Sequence, residues 1–222
     1  MLKFDIITIF PEIFDSYFSE SILGRAQAEE YISIEIENLR DYTDDARKTV
    51  DDTPYGGGAG MVMKVEPIFK ALEDVKSKNG IDKEKTRVIL FSAKGKRYTQ
   101  RDAERLSQYE NLILLCGRYE GVDERVVENL CDEEISIGDM VLTGGEIPAM
   151  AVVDSITRLL PGVLGNAESI EIESHSEDGY LEFPQYTKPE EFNGWKVPEV
   201  LLSGDHKKIK QWREDHSQRK IS

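Results

Sequence analysis

The chain has 222 residues, of which 39% are hydrophobic and 9% aromatic, and it carries a formal net charge of −15. This composition excludes wholesale disorder, and no run approaches the roughly 18 consecutive apolar residues that a membrane-spanning helix needs. The N-terminal segment MLKFDIITIFPEIF lacks the charged, apolar and small-residue sections of a signal peptide in that order, so we expect a cytoplasmic protein.

Apolar runs alternate with helical patterns through the N-terminal two thirds of the chain. We predict strands at residues 4–10, 32–36, 88–91 and 112–116. The helices predicted between them cover residues 65–76, 99–108 and 123–130, with Thr99 as the N-cap of the second. This alternation predicts an α/β domain with a parallel sheet covered by helices on both faces.

The clearest helical pattern covers residues 146–160. Apolar residues recur there at helical spacing, and Pro161 and Gly162 end the pattern. Asp154 and Arg158 stand four residues apart on a less apolar side, which by itself indicates a surface ion pair.

The C-terminal part of the chain has a different character. We predict a main domain over residues 1–164 and an interdomain linker over residues 165–186, which are rich in acid, Ser and Gly. Residues 187–222 predict a small helical domain, in which Ser203 or Asp205 caps a basic helix. Because so short a segment buries little core, we expect it to dock on the main domain or on a second subunit.

Cysteine and histidine usage predicts neither a disulfide framework nor a metal site. Cys116 and Cys131 fit two reduced thiols, and the three histidines are far apart in sequence. The negative net charge argues at first against a nucleic-acid partner. Basic residues are nevertheless concentrated in residues 94–101 and in the last sixteen residues, which permits RNA binding.

Three glycine-bearing stretches are the main candidates for ligand binding: PYGGGAGM at 54–61, CGRYEG at 116–121 and SIGDMVLTGGE at 136–146. None has the ending of a phosphate-binding loop, the first strand is not followed by a dinucleotide-binding motif, and no nucleophile elbow is present. The second and third stretches follow predicted strands, at the sheet edge where α/β proteins bind ligands. Glycines there let backbone groups approach a flat ligand such as adenine.

Four longer blocks carry a resemblance to a known family: TVDDTPYGGGAGMVMKVEP, LLCGRYEGVDERV, SIGDMVLTGGEIPAMAVVDSITRLLPGVLGN and PQYTKPEEFNGWKVPEVLLSGDHKKIKQWR. With them the chain resembles the bacterial tRNA (guanine-N1)-methyltransferases, the TrmD family of the SPOUT class. The resemblance implies a deep trefoil knot in the C-terminal part of the α/β domain and a homodimer whose active site draws on both subunits. It also implies transfer of a methyl group from S-adenosylmethionine to N1 of guanosine 37, beside the tRNA anticodon.

The same resemblance assigns site residues. Arg158 is the implied cation beside the guanine O6, and Glu173 is the implied general base, with Glu171 and Asp178 as rivals because the local alignment is ambiguous. The resemblance leaves magnesium assistance open, although no sequence motif supports a metal site. The implied cofactor-binding residues are Phe91, Gly117, Glu120, Ile137, Gly138, Asp139, Met140, Val141, Leu142, Gly144, Gly145 and Pro148.

The chemistry of the reaction explains why a carboxylate and a cation are needed. N1 of guanine carries a proton and a delocalised lone pair, so a base must remove the proton as the new bond forms. Negative charge then develops toward O6, where a fixed cation stabilises the transition state.

Two alternative functions stay open: a knotted methyltransferase for another RNA position, and a catalytically silent RNA-binding relative. The C-terminal domain is also shorter than is usual in the family.

Overall fold

The computed structural model describes residues 1–80, 82–165, 173–177 and 179–219. The chain divides into two compact units, Met1–Gly165 and Asn166–Ser222. In the part of the chain that the structure describes, no helix has the length and apolarity required to cross a membrane.

The first unit is built on five parallel strands in the order β2-β1-β6-β5-β7. A two-residue antiparallel pair, β3 and β4, stands apart from this sheet. The strands are β1 (Leu2–Thr8), β2 (Ile32–Asn38), β3 (Asp51–Asp52), β4 (Val62–Met63), β5 (Thr86–Arg97), β6 (Asn111–Cys116) and β7 (Glu133–Ser136).

Six α-helices of the first unit accompany these strands. They are α1 (Asp15–Phe18), α2 (Ser21–Ala28), α3 (Val65–Asn79), α4 (Gln100–Leu106), α5 (Glu124–Leu130) and α6 (Glu146–Thr157). Short 3₁₀ helices cover Pro11–Phe14 and Leu39–Tyr42. Thr99 is the N-cap of α4, as predicted, and the Asp102 carboxylate accepts hydrogen bonds from its backbone N and its Oγ1.

Both faces of the sheet are buried. Neighbouring residues of a strand point to opposite faces, so Ile6 lies in one apolar cluster and Ile7 in the other. The first cluster includes buried residues of α2, α4 and α6, and the second includes those of α3 and α5. This arrangement explains why the strands read as continuous apolar runs, and it confirms the predicted α/β fold with a central parallel sheet.

A bulge in β5 interrupts its pairing with β7. Ile135 is opposite Phe91 before the bulge and opposite Lys96 after it, so residues 92–95 have no partners in β7. Gly95 allows this, because a Cβ there would lie 2.6 Å from the backbone C of Glu134 and the backbone N of Ile135. The bulge displaces residues 92–94 from the regular ladder.

In its described residues, the second unit has two short helices and two two-stranded ladders. The helices are α7 (Glu199–Leu202) and α8 (His206–His216), and the strands are β8 (Tyr180–Leu181), β9 (Glu191–Phe192), β10 (Trp195–Lys196) and β11 (Gln218–Arg219). β9 pairs with β10 and β8 with β11, both antiparallel. Asp205 is the N-cap of α8 and accepts hydrogen bonds from the backbone N of Lys207 and of Lys208.

Some residues of the predicted linker belong to this second unit. Tyr180 and Leu181 form β8, which pairs with β11. Phe183 is buried, and the Arg213 guanidinium lies 4.8 Å from the centre of the Phe183 ring. Residues 166–172 and 178 fall outside the described residues. The boundary at residue 186 between linker and helical domain stays a prediction.

Candidate functional site

A cavity of about 310 Å³ lies beyond the carboxyl ends of β6 and β7 and beside the β5 bulge. Val127 and three segments line it: residues 90–94, residues 117–122 and residues 134–148 in part. Ten of the twelve predicted cofactor residues are in its wall, namely Phe91, Gly117, Glu120, Ile137, Met140, Val141, Leu142, Gly144, Gly145 and Pro148. Gly138 and Asp139 are not among its lining residues.

Residues of the bulge and the acidic side chain of Glu134 extend this wall beyond the predicted set. Ser92, Ala93 and Lys94 line the cavity because the bulge turns them away from β7. Glu134 also lines it, and its Oε1 is buried without a hydrogen-bond partner among the described residues. Gly95 was the available sequence signal for the bulge, because an isolated glycine inside a strand often marks one.

The first glycine stretch packs against the second. The backbone N of Glu120 donates to the Met61 oxygen at 3.0 Å, and the backbone N of Met63 donates to the Gly121 oxygen at 2.9 Å. Gly60, with a φ of 83°, is close enough that a Cβ would lie 2.4 Å from Cγ of Glu120. PYGGGAGM is therefore joined to the cavity through Glu120, a lining residue.

The third glycine stretch is closely packed on the second. A Cβ on Gly145 would lie 2.6 Å from Cα of Cys116 and 3.0 Å from the backbone N of Gly117. The Gly145 backbone N also donates to the Gly117 oxygen at 2.9 Å. A Cβ on Gly144 would lie 2.2 Å from Nε of Arg118. A side chain at either position would obstruct these contacts, which explains why residues 144 and 145 are both glycine.

An ion pair between the partly buried Arg118 and the buried Glu146 lies beside these glycines, and the sequence patterns did not reveal it. Glu146, the first residue of α6, is 1% exposed. Its Oε1 accepts from Thr8 Oγ1 at 2.8 Å, and its Oε2 accepts from Arg118 Nε at 3.0 Å and Nη2 at 2.9 Å. The Arg118 guanidinium also lies 4.6 Å from the centre of the Phe10 ring. The available signal was a Glu at a helix N-terminus, where the helix dipole favours negative charge.

The predicted catalytic residues lie in different units. Arg158 is the C-cap of α6, and its backbone N donates to the Asp154 oxygen at 3.2 Å. The Asp154 carboxylate accepts a hydrogen bond of 2.7 Å from Tyr17 Oη, and this bond raises the pKa of Tyr17. Glu173 lies in the second unit, where its backbone oxygen accepts from Ser176 N at 3.0 Å. Glu171 and Asp178 fall outside the described residues.

The cysteines are not suited to nucleophilic chemistry. Both are free thiols. Burial raises the pKa of Cys131 to about 12 and that of Cys116 well above its usual value. A thiol must lose its proton to attack, so neither is an activated nucleophile at neutral pH. Among the described residues, no group of three or more His, Cys, Asp or Glu side chains is placed to hold a metal ion.

The second unit has its own cavity, of about 500 Å³, with aromatic and basic side chains in its wall. Tyr186 and Trp212 meet there at 6.2 Å between ring centres, and Lys188 and Arg213 also line it.

The basic run at residues 94–101 lies in the first unit. Two of its lysines form ion pairs, Lys94 with Glu124 and Lys96 with Asp102.

Comparison with known proteins gives one consistent result. A family model described as tRNA (Guanine-1)-methyltransferase TrmD matches residues 2–222. A relative from Dictyoglomus turgidum, named tRNA (guanine-N(1)-)-methyltransferase, is 54% identical over 220 residues, which are 99% of this chain and 86% of the relative. A relative of the same name from Bacillus subtilis is 50% identical over 219 residues, 99% of this chain and 88% of the relative.

A solved structure agrees with these matches. It is the crystal structure of the tRNA (m1G37) methyltransferase from Aquifex aeolicus, which is 40% identical in sequence. The alignment covers 97% of this chain and 88% of that one, with a TM-score of 0.81.

Proposed function

The chain belongs to the tRNA (guanine-1)-methyltransferase family, and from this premise we propose that it transfers a methyl group from S-adenosylmethionine to N1 of guanosine 37 in tRNA. The single observation that carries the proposal is the cavity at the sheet edge, in which ten of the implied cofactor residues meet. The comparisons favour this activity over an RNA methyltransferase for another position and over a silent RNA-binding relative.

The residues present fit S-adenosylmethionine. A volume of about 310 Å³ lies within the range of small-ligand pockets, roughly 300–1,000 Å³. Phe91, Leu142 and Pro148 provide apolar surface for adenine, and the glycine loops bring backbone groups close to it. Carboxylate oxygens of Glu120 and Glu134 are acceptors for the hydroxyl and amino groups of such a ligand. Gly138 and Asp139 complete the proposed cofactor set through the loop they share with Ile137 and Met140.

The proposed mechanism assigns one step to each catalytic residue. Bound S-adenosylmethionine supplies an electrophilic methyl group and retains the electron pair of the broken carbon–sulfur bond. The carboxylate of Glu173 accepts the N1 proton of guanine as the N1 lone pair forms the new bond to carbon. Arg158 stabilises the negative charge that develops on O6. Glu171 and Asp178 stay rivals of Glu173 for the role of base.

We also propose the knotted topology and the shared homodimeric site that the family resemblance implies. Exposed apolar residues beside the cavity support a second copy of the chain at this face, notably Met140, Val141 and Ile147. The proposed location is the cytoplasm, where tRNA is available as substrate.

Binding of tRNA is proposed to involve the second unit and its basic helix α8. An unstacked anticodon-loop base can stack on aromatic side chains, and lysines and arginines pair with phosphates. The Tyr186 and Trp212 cavity and the exposed residues Lys207, Lys208 and Lys210 supply both kinds of group.

The decisive experiment measures methyl transfer from labelled S-adenosylmethionine to a tRNA transcript with guanosine at positions 36 and 37. We expect incorporation that disappears when guanosine 37 is replaced by adenosine. Glu173→Ala should lower the rate by about 10²-fold or more, whereas Glu177→Ala, a nearby matched control, should retain activity. Tight tRNA binding without incorporation would support the silent relative, and incorporation at another nucleotide would support the other alternative.

Magnesium dependence has a simple test. The family resemblance leaves magnesium assistance open, and turnover at saturating tRNA decides it when magnesium is replaced by spermidine to keep the tRNA folded. Turnover that persists would show that no step needs the metal. Loss of turnover that only magnesium restores would place the metal in the reaction.

A further inference from the structure

We propose that Glu146 and Thr8 are positioning residues that hold two walls of the cofactor cavity together through Arg118. The inference rests on the proposed function, because it concerns the cavity assigned there to S-adenosylmethionine. Neither residue lines the cavity itself. Their effect on cofactor binding therefore has to act through Arg118 and the two loops beside it.

The Glu146 carboxylate is almost fully desolvated, and three donors satisfy it. Thr8 Oγ1 donates to Oε1, while Nε and Nη2 of Arg118 donate to Oε2. Thr8 is itself fixed, because the backbone N of Phe10 donates to its Oγ1 at 3.0 Å. A buried carboxylate with this many bonds has few alternative positions, so the Arg118 side chain is held in one place.

Both ends of the ion pair are attached to the cavity wall. Arg118 lies in the loop after β6, between Gly117 and Tyr119. Glu146 directly follows Gly144 and Gly145, which belong to the segment that forms the other wall of the cavity. The Gly145 to Gly117 hydrogen bond joins the same two segments through their backbones. The ion pair and this bond together set the separation of the walls.

A purely stabilising role is a weak explanation for such a pair. Desolvation of two charges offsets much of their attraction, so apolar residues of similar size often stabilise a core at least as well. A fixed geometry is what a hydrogen-bonded ion pair adds. Its position directly behind the glycines that line the cavity makes that geometry relevant to the cofactor.

The test compares cofactor affinity with thermal stability in matched variants of the full chain. Glu146→Gln keeps the side-chain shape but leaves the Arg118 charge without its anion. Thr8→Val removes the hydroxyl without changing size, and Thr8→Ser restores it. Asp102→Asn is the control, since Asp102 is a buried carboxylate that bonds Lys96 and Arg105 and does not line the cavity.

Isothermal titration with S-adenosylhomocysteine, well below each Tm, gives the affinity. We expect the Kd to rise about tenfold for Glu146→Gln and about threefold for Thr8→Val, with Thr8→Ser close to the parent. The double variant should show less than the product of the two effects, because both act through one carboxylate. Asp102→Asn should lower the Tm and leave the Kd unchanged.

Folded Glu146→Gln and Thr8→Val proteins with the parent's Kd would overturn the inference while leaving the proposed function in place. If Glu146→Gln does not fold, Thr8→Val and Thr8→Ser decide the question, because a hydroxyl-dependent Kd supports positioning and equal Kd values refute it. A parent chain that does not bind S-adenosylhomocysteine would instead refute the proposed cofactor, and this inference with it.

Discussion

The contact between Gly145 and the loop after β6 gives a direct test of the cavity. In Gly145→Ala the new Cβ would lie 2.6 Å from Cα of Cys116 and 3.0 Å from the backbone N of Gly117. These are backbone atoms and cannot rotate away as a side chain can. Overpacking of this kind costs about 1–3 kcal/mol. If the strain is relieved by displacing Gly117, the cofactor Kd should rise about 5- to 150-fold.

The assay is titration with S-adenosylhomocysteine together with thermal unfolding of the unliganded protein. Gly165→Ala is the matched control, because a Cβ there meets no atom of the described residues within 4 Å and the backbone φ lies outside the left-handed range. It should bind as the parent does and unfold at the same temperature or slightly above it. A Gly145→Ala protein with the parent's affinity would refute the role of this close contact in shaping the cavity.

Two further predictions concern the α8 surface and the sheet. Lys207→Ala combined with Lys208→Ala should weaken tRNA binding and flatten its dependence on salt, measured by titration between low and moderate salt; unchanged binding would remove both residues from the interface. Burial raises the pKa of Asp5 above 3.8, so the ionised group destabilises the folded state once the pH exceeds that raised value. Asp5→Asn should therefore raise the Tm at pH 7, and this gain in Tm should shrink as the pH falls through the raised pKa. An equal gain in Tm above and below the raised pKa would contradict the prediction.

The fold was predictable because its signals are local. A strand buried on both faces must be apolar at successive positions, which is what residues 112–116 show. Thr99 was identifiable as a helix cap, and Asp205 as one of two candidates beside Ser203, because a capping side chain bonds backbone only two or three residues away. The cavity residues, by contrast, came from the family resemblance, since a glycine alone does not distinguish a ligand contact from a turn.

Features that depend on distant partners were not predictable. Glu146 meets Thr8 from 138 positions away, and nothing near either residue in sequence indicates the contact. The ion pair of Asp154 with Arg158, which helical spacing alone indicates, is a further case. The spacing suggests it, but the Asp154 carboxylate accepts a hydrogen bond from Tyr17, which is 137 positions away. Helical spacing makes a contact feasible, and tertiary packing decides which partner a side chain has.

The glycines of PYGGGAGM are not equivalent, and the difference yields a last prediction. The sequence alone does not distinguish Gly58 from Gly60. At Gly60, however, a Cβ would lie 2.4 Å from Cγ and 2.5 Å from Oε1 of Glu120, which lines the cavity. At Gly58 the nearest atom is Cγ of Pro54, at 3.9 Å.

Gly60→Val should therefore raise the cofactor Kd as well as slow methylation, because it displaces the Glu120 side chain. Gly58→Val should slow methylation and leave the cofactor Kd near that of the parent. The backbone φ of 130° at Gly58 and of 83° at Gly60 both disfavour a side chain. The Tm of each variant therefore has to be measured beside the Kd. If Gly58→Val loses cofactor affinity as severely as Gly60→Val, the loop as a whole supports the cavity, and the separate contact of Gly60 with Glu120 does not explain the effect.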